Sequence, residues 1–271
     1  LQLKSLLRSI RYYSDIEDVE ITILYTTIAT IPYKDLIQEF GCGFVREQVF
    51  FEDLKGIVER SKADYIFFMV DDLIFKDEFS LRYIESVLNM YPEVNCFSLR
   101  LGKNIHGGKE PIFEKIDSEI LVWDTGIEMG RIWRSFWEVS SSIYRKSTVL
   151  NYLEKCRPTK ITHPNPFESH YYSQLPSYRG DKSLIKKFVK GIKFFGAHKS
   201  DRMSCFSRSV CFTQGVNLVA DRTIEHQQLA SPNELHESMN RGLIIDYQSI
   251  KGTENHWPNA GVEYFRLIRD R

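Results

Sequence analysis

No apolar run in this 271-residue chain is longer than the six residues Tyr65 to Val70, whereas a helix that crosses a bilayer needs about 18 to 20. A membrane-spanning helix is therefore not expected. Cysteine is scarce and irregularly placed: five residues, at 42, 96, 156, 205 and 211, with no CxxC pair. That pattern argues against a disulfide framework or a zinc ribbon and for a reducing, cytosolic compartment. An excess of one charge is also missing. Lys plus Arg and Asp plus Glu number 36 each and the pI is near 7.2, so nucleic acid is not an expected partner. With 9 Pro and 15 Gly against 42% hydrophobic residues, collagen-like, low-complexity and wholly disordered chains are excluded. GxSxG, GxxxxGK[ST], HExxH and GxGxxG are all absent, so hydrolase-elbow, P-loop, zincin and dinucleotide-binding readings lack their usual signals.

What is present reads as alternating helices and strands. Leu3, Leu6, Leu7 and Ile10 recur at helical spacing over residues 1–13, and Glu20 to Thr26 is rich in strand formers. Helices are expected near 33–40, 52–61, 78–90 and 147–155, with strands at 48–51, 64–70, 94–101, 119–123 and 137–145. Such alternation predicts an α/β layer fold with a mostly parallel sheet flanked by helices, looser after about residue 102. Residues 157–181, rich in Pro, Ser, Asn and Tyr, read as a long ordered loop. Ser231-Pro232-Asn233-Glu234 is a capping box, and its helix should stop at Gly242. No repeat or linker divides the chain, which reads as one domain over 1–271. Leu1 falls inside a helical pattern with no initiator Met, so the natural start is expected upstream.

The most informative stretch is Asp64 to Phe75, DYIFFMVDDLIF. A strand buried on both faces ends in two adjacent carboxylates, Asp71 and Asp72, and ligands of open α/β sheets bind at the carboxyl ends of strands. Paired carboxylates repel unless a cation or strong donors compensate them, and a hard divalent ion with oxygen ligands does so. The plainer alternative is that the two acids cap the following helix, although Asp77 is better placed for that.

These segments resemble the GT-A fold of nucleotide-sugar glycosyltransferases. LQLKSLLRSI is similar to the helix after its first strand, ITILYTT to its second strand, and YIFFMVDDLIF to its DxD-type acidic motif. The match is best over residues 1 to about 150. It departs in two ways: the first strand would precede Leu1, and the motif reads Val70-Asp71-Asp72, with only its last two positions acidic. The resemblance implies a Rossmann-like fold with a nucleotide-binding half (1–102) and an acceptor-side half (103–271). It implies a cofactor, Mn²⁺ or Mg²⁺, held by Asp72 and Asp71, with His256 of ENHWPNAG as a third ligand. It also implies nucleotide contacts from Thr26, Thr27, Lys55 and Asp71, a UDP- or GDP-sugar donor, and a glycan or lipid-linked acceptor. A nucleotidyltransferase and a non-catalytic glycan- or nucleotide-binding module are the alternatives.

Two further clusters mix aromatic rings with carboxylates, FWEVSSSIYR (136–145) and THPNPFESHYY (162–172). Sugars stack on aromatic faces and bond to such polar groups, which makes Trp137, His170 and Tyr171 candidates for the acceptor side. Glu168 is the candidate general base, with Glu138 in reserve. Finally, Lys182, Lys186, Lys187, Lys190 and Lys193 alternate with apolar residues at helical spacing. They offer either a solvated helix packed on the core or a peripheral contact with the inner face of a membrane.

Overall fold

The computed structural model describes residues 1–26, 34–126, 128–174, 201–215, 230–260 and 262–270. Thr27 and the lysine-rich segment 182–193 lie outside the described residues.

Helix α1 (Gln2–Tyr13) buries Leu6, Leu7, Ile10 and Tyr13 on one face, as its apolar spacing dictates. It is followed by β1 (Thr22–Tyr25), α2 (Lys34–Phe40), β2 (Gly43–Arg46), α3 (Phe50–Arg60) and β3 (Tyr65–Phe67). Next come β4 (Leu73–Phe75), α4 (Leu81–Met90), β5 (Cys96–Ser98), β6 (Glu114–Lys115), β7 (Ile120–Asp124) and β8 (Ser142–Arg145). Beyond these lie α5 (Lys146–Lys155), α6 (Pro164–Gln174), β9 (Arg202–Phe206) and β10 (Cys211–Gln214). The last described stretch holds α7 (Pro232–Asn240), β11 (Leu243–Ile245), β12 (Asn259–Ala260) and β13 (Leu267–Arg269).

Six strands form the main sheet in the order β3-β8-β5-β9-β7-β6. Strand alternation sends successive residues to opposite faces. Cys96, Leu121, Trp123, Tyr144 and Met203 enter the core that α3 and α5 cover, whereas Phe97, Ile120, Val122 and Ile143 enter the core that α1 and α4 cover. Both faces are thus buried, which explains the nearly unbroken apolar runs in these strands. The pairing corrects the expected mostly parallel sheet. β8 runs antiparallel to both β3 and β5, β7 runs antiparallel to β9 and β6, and β5–β9 is the parallel pair. The sheet is mixed because the strand wedged between β3 and β5 arrives from more than forty residues downstream of β5. Local alternation is blind to such an insertion.

This topology fixes one edge. β3 and β5 are both antiparallel to β8, so their C-terminal ends lie beside the start of β8; β9, parallel to β5, ends there as well. The amide of Phe68 donates to Ser142 and that of Leu99 to Ser141, which carries the pairing past the strand ends.

Four local expectations also change. The strand expected at 48–51 lies earlier, at Gly43–Arg46, and Phe50 and Phe51 begin α3. Within 157–181, residues 164–174 form α6 rather than a loop. Pro164 and Pro166 fall in its first turn, where amides have no intrahelical acceptor, and the Phe167 N–H bond to His163 follows at 3.3 Å. The helix after the acidic pair is capped by Ser80, whose side chain accepts from Tyr83, while Asp77 pairs with Lys76 at 2.8 Å. The strand expected at 137–145 is confined to β8, because Glu138 gathers residues 140–142 into a turn.

Candidate active site

Asp71 and Asp72 occupy the centre of a β-turn closed by the Leu73 N–H bond to the Val70 carbonyl at 3.1 Å. The turn reverses the chain from β3 into β4, which pairs with β10. Asp71 is open to solvent and Asp72 is half-buried. Protein on the remaining sides thins the hydration of both. Dehydration raises the Asp71 pKa, and it pushes Asp72 up to about 7 with help from the charge of Asp71.

Arg100, two residues past β5, reaches the same edge. Its guanidinium pairs with Glu138 Oε2 at 3.0 Å, and it weakly favours ionised Asp72. Burial works to lower the Arg100 pKa, but Glu138 and then Glu168 more than offset it, so the group is held firmly cationic.

Glu138 is buried and saturated. Its Oε2 also accepts from Ser140 N–H at 3.0 Å, and its Oε1 accepts from Ser141 N–H at 3.3 Å and from the Ser141 and Ser142 hydroxyls. With both oxygens engaged it is a scaffold for the turn into β8, which corrects its place as reserve base. Tyr144 braces the same turn, its hydroxyl accepting from Glu138 N–H at 2.9 Å.

Glu168 comes to this group from α6. Its Oε1 accepts from Val139 N–H at 2.8 Å, and no hydrogen bond to its Oε2 is found among the described residues. Burial raises its pKa, and Glu138 adds to the rise, against the pull of Arg100 and Arg131. Phe167 anchors this turn of α6: it is fully buried, with its ring 5.4 Å from Trp137 and its carbonyl accepting from Tyr152 at 2.6 Å.

The other expected residues divide sharply. Trp137 is 1% exposed, with Tyr144 and Tyr152 centred 4.6 and 4.3 Å away, so its faces are occupied by the core. A ring so enclosed cannot stack on a sugar, and the acceptor role expected of it is withdrawn. Tyr171 packs on Phe136 and Tyr152 and donates to Asp201. His170, one residue before it, has its pKa lowered by burial and then by Arg157. Lys55 pairs with Glu59 at 3.7 Å on the open surface of α3, and Thr26 is exposed just past β1. His256 stacks on His106, with centroids 4.7 Å apart, and faces the Asn104 carbonyl. These contacts place it with the 104–106 loop and not with the aspartates.

Arg100 was not singled out from the sequence, although its signal was there: one charge in the largely apolar stretch Cys96 to Leu101, just past a buried strand. Two adjacent carboxylates offer oxygen ligands of the kind a hard divalent ion takes, while no group of three His, Cys, Asp or Glu gathers among the described residues. Mg²⁺-type sites commonly take one or two carboxylates and complete their shell with substrate phosphates and water.

No protein-family model matches the chain. Among curated proteins it is similar to the bifunctional glycosyltransferase pgtA of Dictyostelium discoideum, with 27% identity over 219 residues. The match covers 73% of this chain and 27% of the relative, so the chain corresponds to roughly a quarter of that protein's length.

Proposed function

We propose that the protein is a glycosyltransferase that moves a sugar from a UDP- or GDP-sugar to a hydroxyl of a glycan or lipid-linked acceptor, within a single GT-A-like unit. The observation that carries this reading is the edge where Asp71, Asp72, Arg100 and Glu168 converge. The similarity to a protein named a glycosyltransferase supports it independently. Asp71 and Asp72, from the half 1–102, would hold Mn²⁺ or Mg²⁺ against the donor diphosphate. Bound there, the ion would neutralise the charge that develops on the departing diphosphate.

Glu168, from the half 103–271, is the base in this reading. Val139 fixes its Oε1 and leaves Oε2 to take the acceptor's proton, and burial, which raises its pKa, makes it a stronger base. The acceptor oxygen then attacks the anomeric carbon as the bond to the diphosphate oxygen breaks, with inversion. Glu138 holds Arg100 and the 139–142 backbone still while this happens. Thr26, Lys55, His170 and Tyr171 are retained as proposed substrate contacts, and the cell interior as the proposed location. The described residues hold no helix long and apolar enough to cross a membrane.

The test is donor binding with and without Mn²⁺ in wild type and Asp72→Ala. With Mn²⁺ the mutant should lose donor affinity while remaining folded; with chelator it should bind as well as wild type or better, since a carboxylate repelling the diphosphate is gone. Equal Mn²⁺-dependent affinity in the two proteins refutes the reading. Donor binding without turnover on any acceptor would instead favour a binding module.

A further inference from the structure

Gln214 ends β10 directly opposite the acidic turn. The β4–β10 register ends with Thr213 opposite Leu73, and one residue further on the Gln214 N–H donates to the Asp72 carbonyl at 2.7 Å. The backbone of Gln214 is thereby held against the turn that carries the two carboxylates.

This side chain is 1% exposed, and neither its Oε1 nor its Nε2 has a hydrogen-bond partner among the described residues. A buried amide with both ends unsatisfied is costly, and a native fold keeps one when something else completes it. Its apolar neighbours on the same face, Ile74 and Phe212, offer no polar atom. The acidic turn beside it is short of positive charge.

We propose that Gln214 is a third protein ligand of the divalent-cation site, its Oε1 joining the carboxylates of Asp71 and Asp72 while its Nε2 donates to an oxygen of the bound diphosphate. A neutral amide oxygen suits a hard cation and adds no further negative charge to a turn that already carries two carboxylates. A cation–diphosphate pair also satisfies both ends of the amide together, as neither a lone cation nor a lone anion does. The proposal rests on the metal-dependent reading of Asp71 and Asp72.

The test compares wild type, Gln214→Leu and Gln214→Glu by Mn²⁺ titration, followed by electron paramagnetic resonance without any nucleotide, together with thermal unfolding in chelator. Leucine removes the ligand and the orphaned amide at similar volume. It should weaken Mn²⁺ at least about tenfold, the lower end of what the loss of even an outer-shell group costs, while raising the unfolding temperature of the metal-free protein. Glutamate should hold Mn²⁺ at least as tightly as wild type and unfold at a lower temperature without it. Mn²⁺ affinity of Gln214→Leu within twofold of wild type overturns the assignment and leaves the aspartate reading intact. A parallel calorimetric titration with nucleoside diphosphate that shows loss of its affinity at unchanged Mn²⁺ affinity also overturns it, by placing the amide on the diphosphate only. Wild type that binds no Mn²⁺ either with or without nucleoside diphosphate overturns both readings.

Discussion

Truncating Glu138 to alanine should unfold the protein far more readily, and the structure sets the size of the effect. Its carboxylate is 5% exposed, pairs with Arg100 at 3.0 Å and accepts from two backbone amides and two serine hydroxyls. Removing one partner of a buried ion pair costs about 3–5 kcal/mol, because the remaining charge is left unpaired. The amides of Ser140 and Ser141 add to that, but the Arg100 side chain keeps 19% of its exposure and water can reach part of it. The two effects pull in opposite directions, so the expected loss stays at about 3–5 kcal/mol, or about 6–20 °C in Tm for a chain of this size. Denaturant unfolding followed by fluorescence would measure it. Glu138→Gln, which keeps the shape and one acceptor, should fall between. The sharper control is Arg100→Met with Glu138→Leu: if the cost of Glu138→Ala comes from a stranded charge, removing both charges should recover much of it. A loss below about 1 kcal/mol in Glu138→Ala, or strict additivity in the double variant, would refute the role assigned to this pair.

The remaining expectations concern the site and its floor. Because the folded pKa of Asp72, about 7, lies above its ordinary value of 3.8, the folded protein holds this proton to higher pH than the unfolded chain does. Stability of the metal-free protein should therefore fall as pH rises from about 4 to about 7 and level off above, and Asp72→Asn should flatten that slope in Tm measured against pH. Glu168→Gln should depress turnover by about 10² to 10⁴ while leaving donor affinity nearly unchanged; parallel loss of donor binding would remove it as the base. Trp137→Ala should cost about 3–5 kcal/mol of stability, as expected of a packed indole, and acceptor KM should be unchanged in Trp137→Phe if the ring never meets the sugar.

The parts legible in the sequence are those governed by neighbours along the chain. The capping box at Ser231 forms as read, Glu234 N–H donating to its hydroxyl at 3.3 Å and Glu234 Oε2 accepting from Ser231 N–H at 2.6 Å, and Gly242 takes the left-handed φ of 70° that ends the helix. The acidic pair after a buried apolar strand was equally plain, since its signal is six apolar residues followed by two charges. What escaped is set by pairing between distant segments. That β8 inserts between β3 and β5 depends on registers such as Phe67 with Ile143, which no local pattern encodes. Without that insertion neither the mixed sheet nor the saturation of Glu138 can be foreseen. Trp137 was misplaced for a related reason: an aromatic beside a carboxylate looks alike in sequence whether its faces meet a ligand or, as here, Tyr144 and Tyr152.

The division of labour among the four acids at this edge follows from how each one's charge is balanced. Glu138 is neutralised by Arg100 and by four donors, so it contributes rigidity and little reactivity. Glu168 has one oxygen fixed by Val139 and feels Arg100 and Arg131 as partial compensation, while burial raises its proton affinity; it is the acid best able to pick up and release a proton. Asp71 and Asp72 have neither arrangement. Arg100 is already committed to Glu138, and its influence on Asp72 is the smallest of the contributions that leave this carboxyl near pKa 7. Left alone, two such carboxylates would repel an anionic diphosphate. In the proposed reading the same pair would act in two opposite ways, rejecting the donor without a divalent ion and attracting it with one. An acidic turn that held no cation would show only repulsion, and a permanent arginine in its place would show only attraction. Cation dependence that changes sign with the aspartates is thus the property that separates a donor site from an incidental acidic turn.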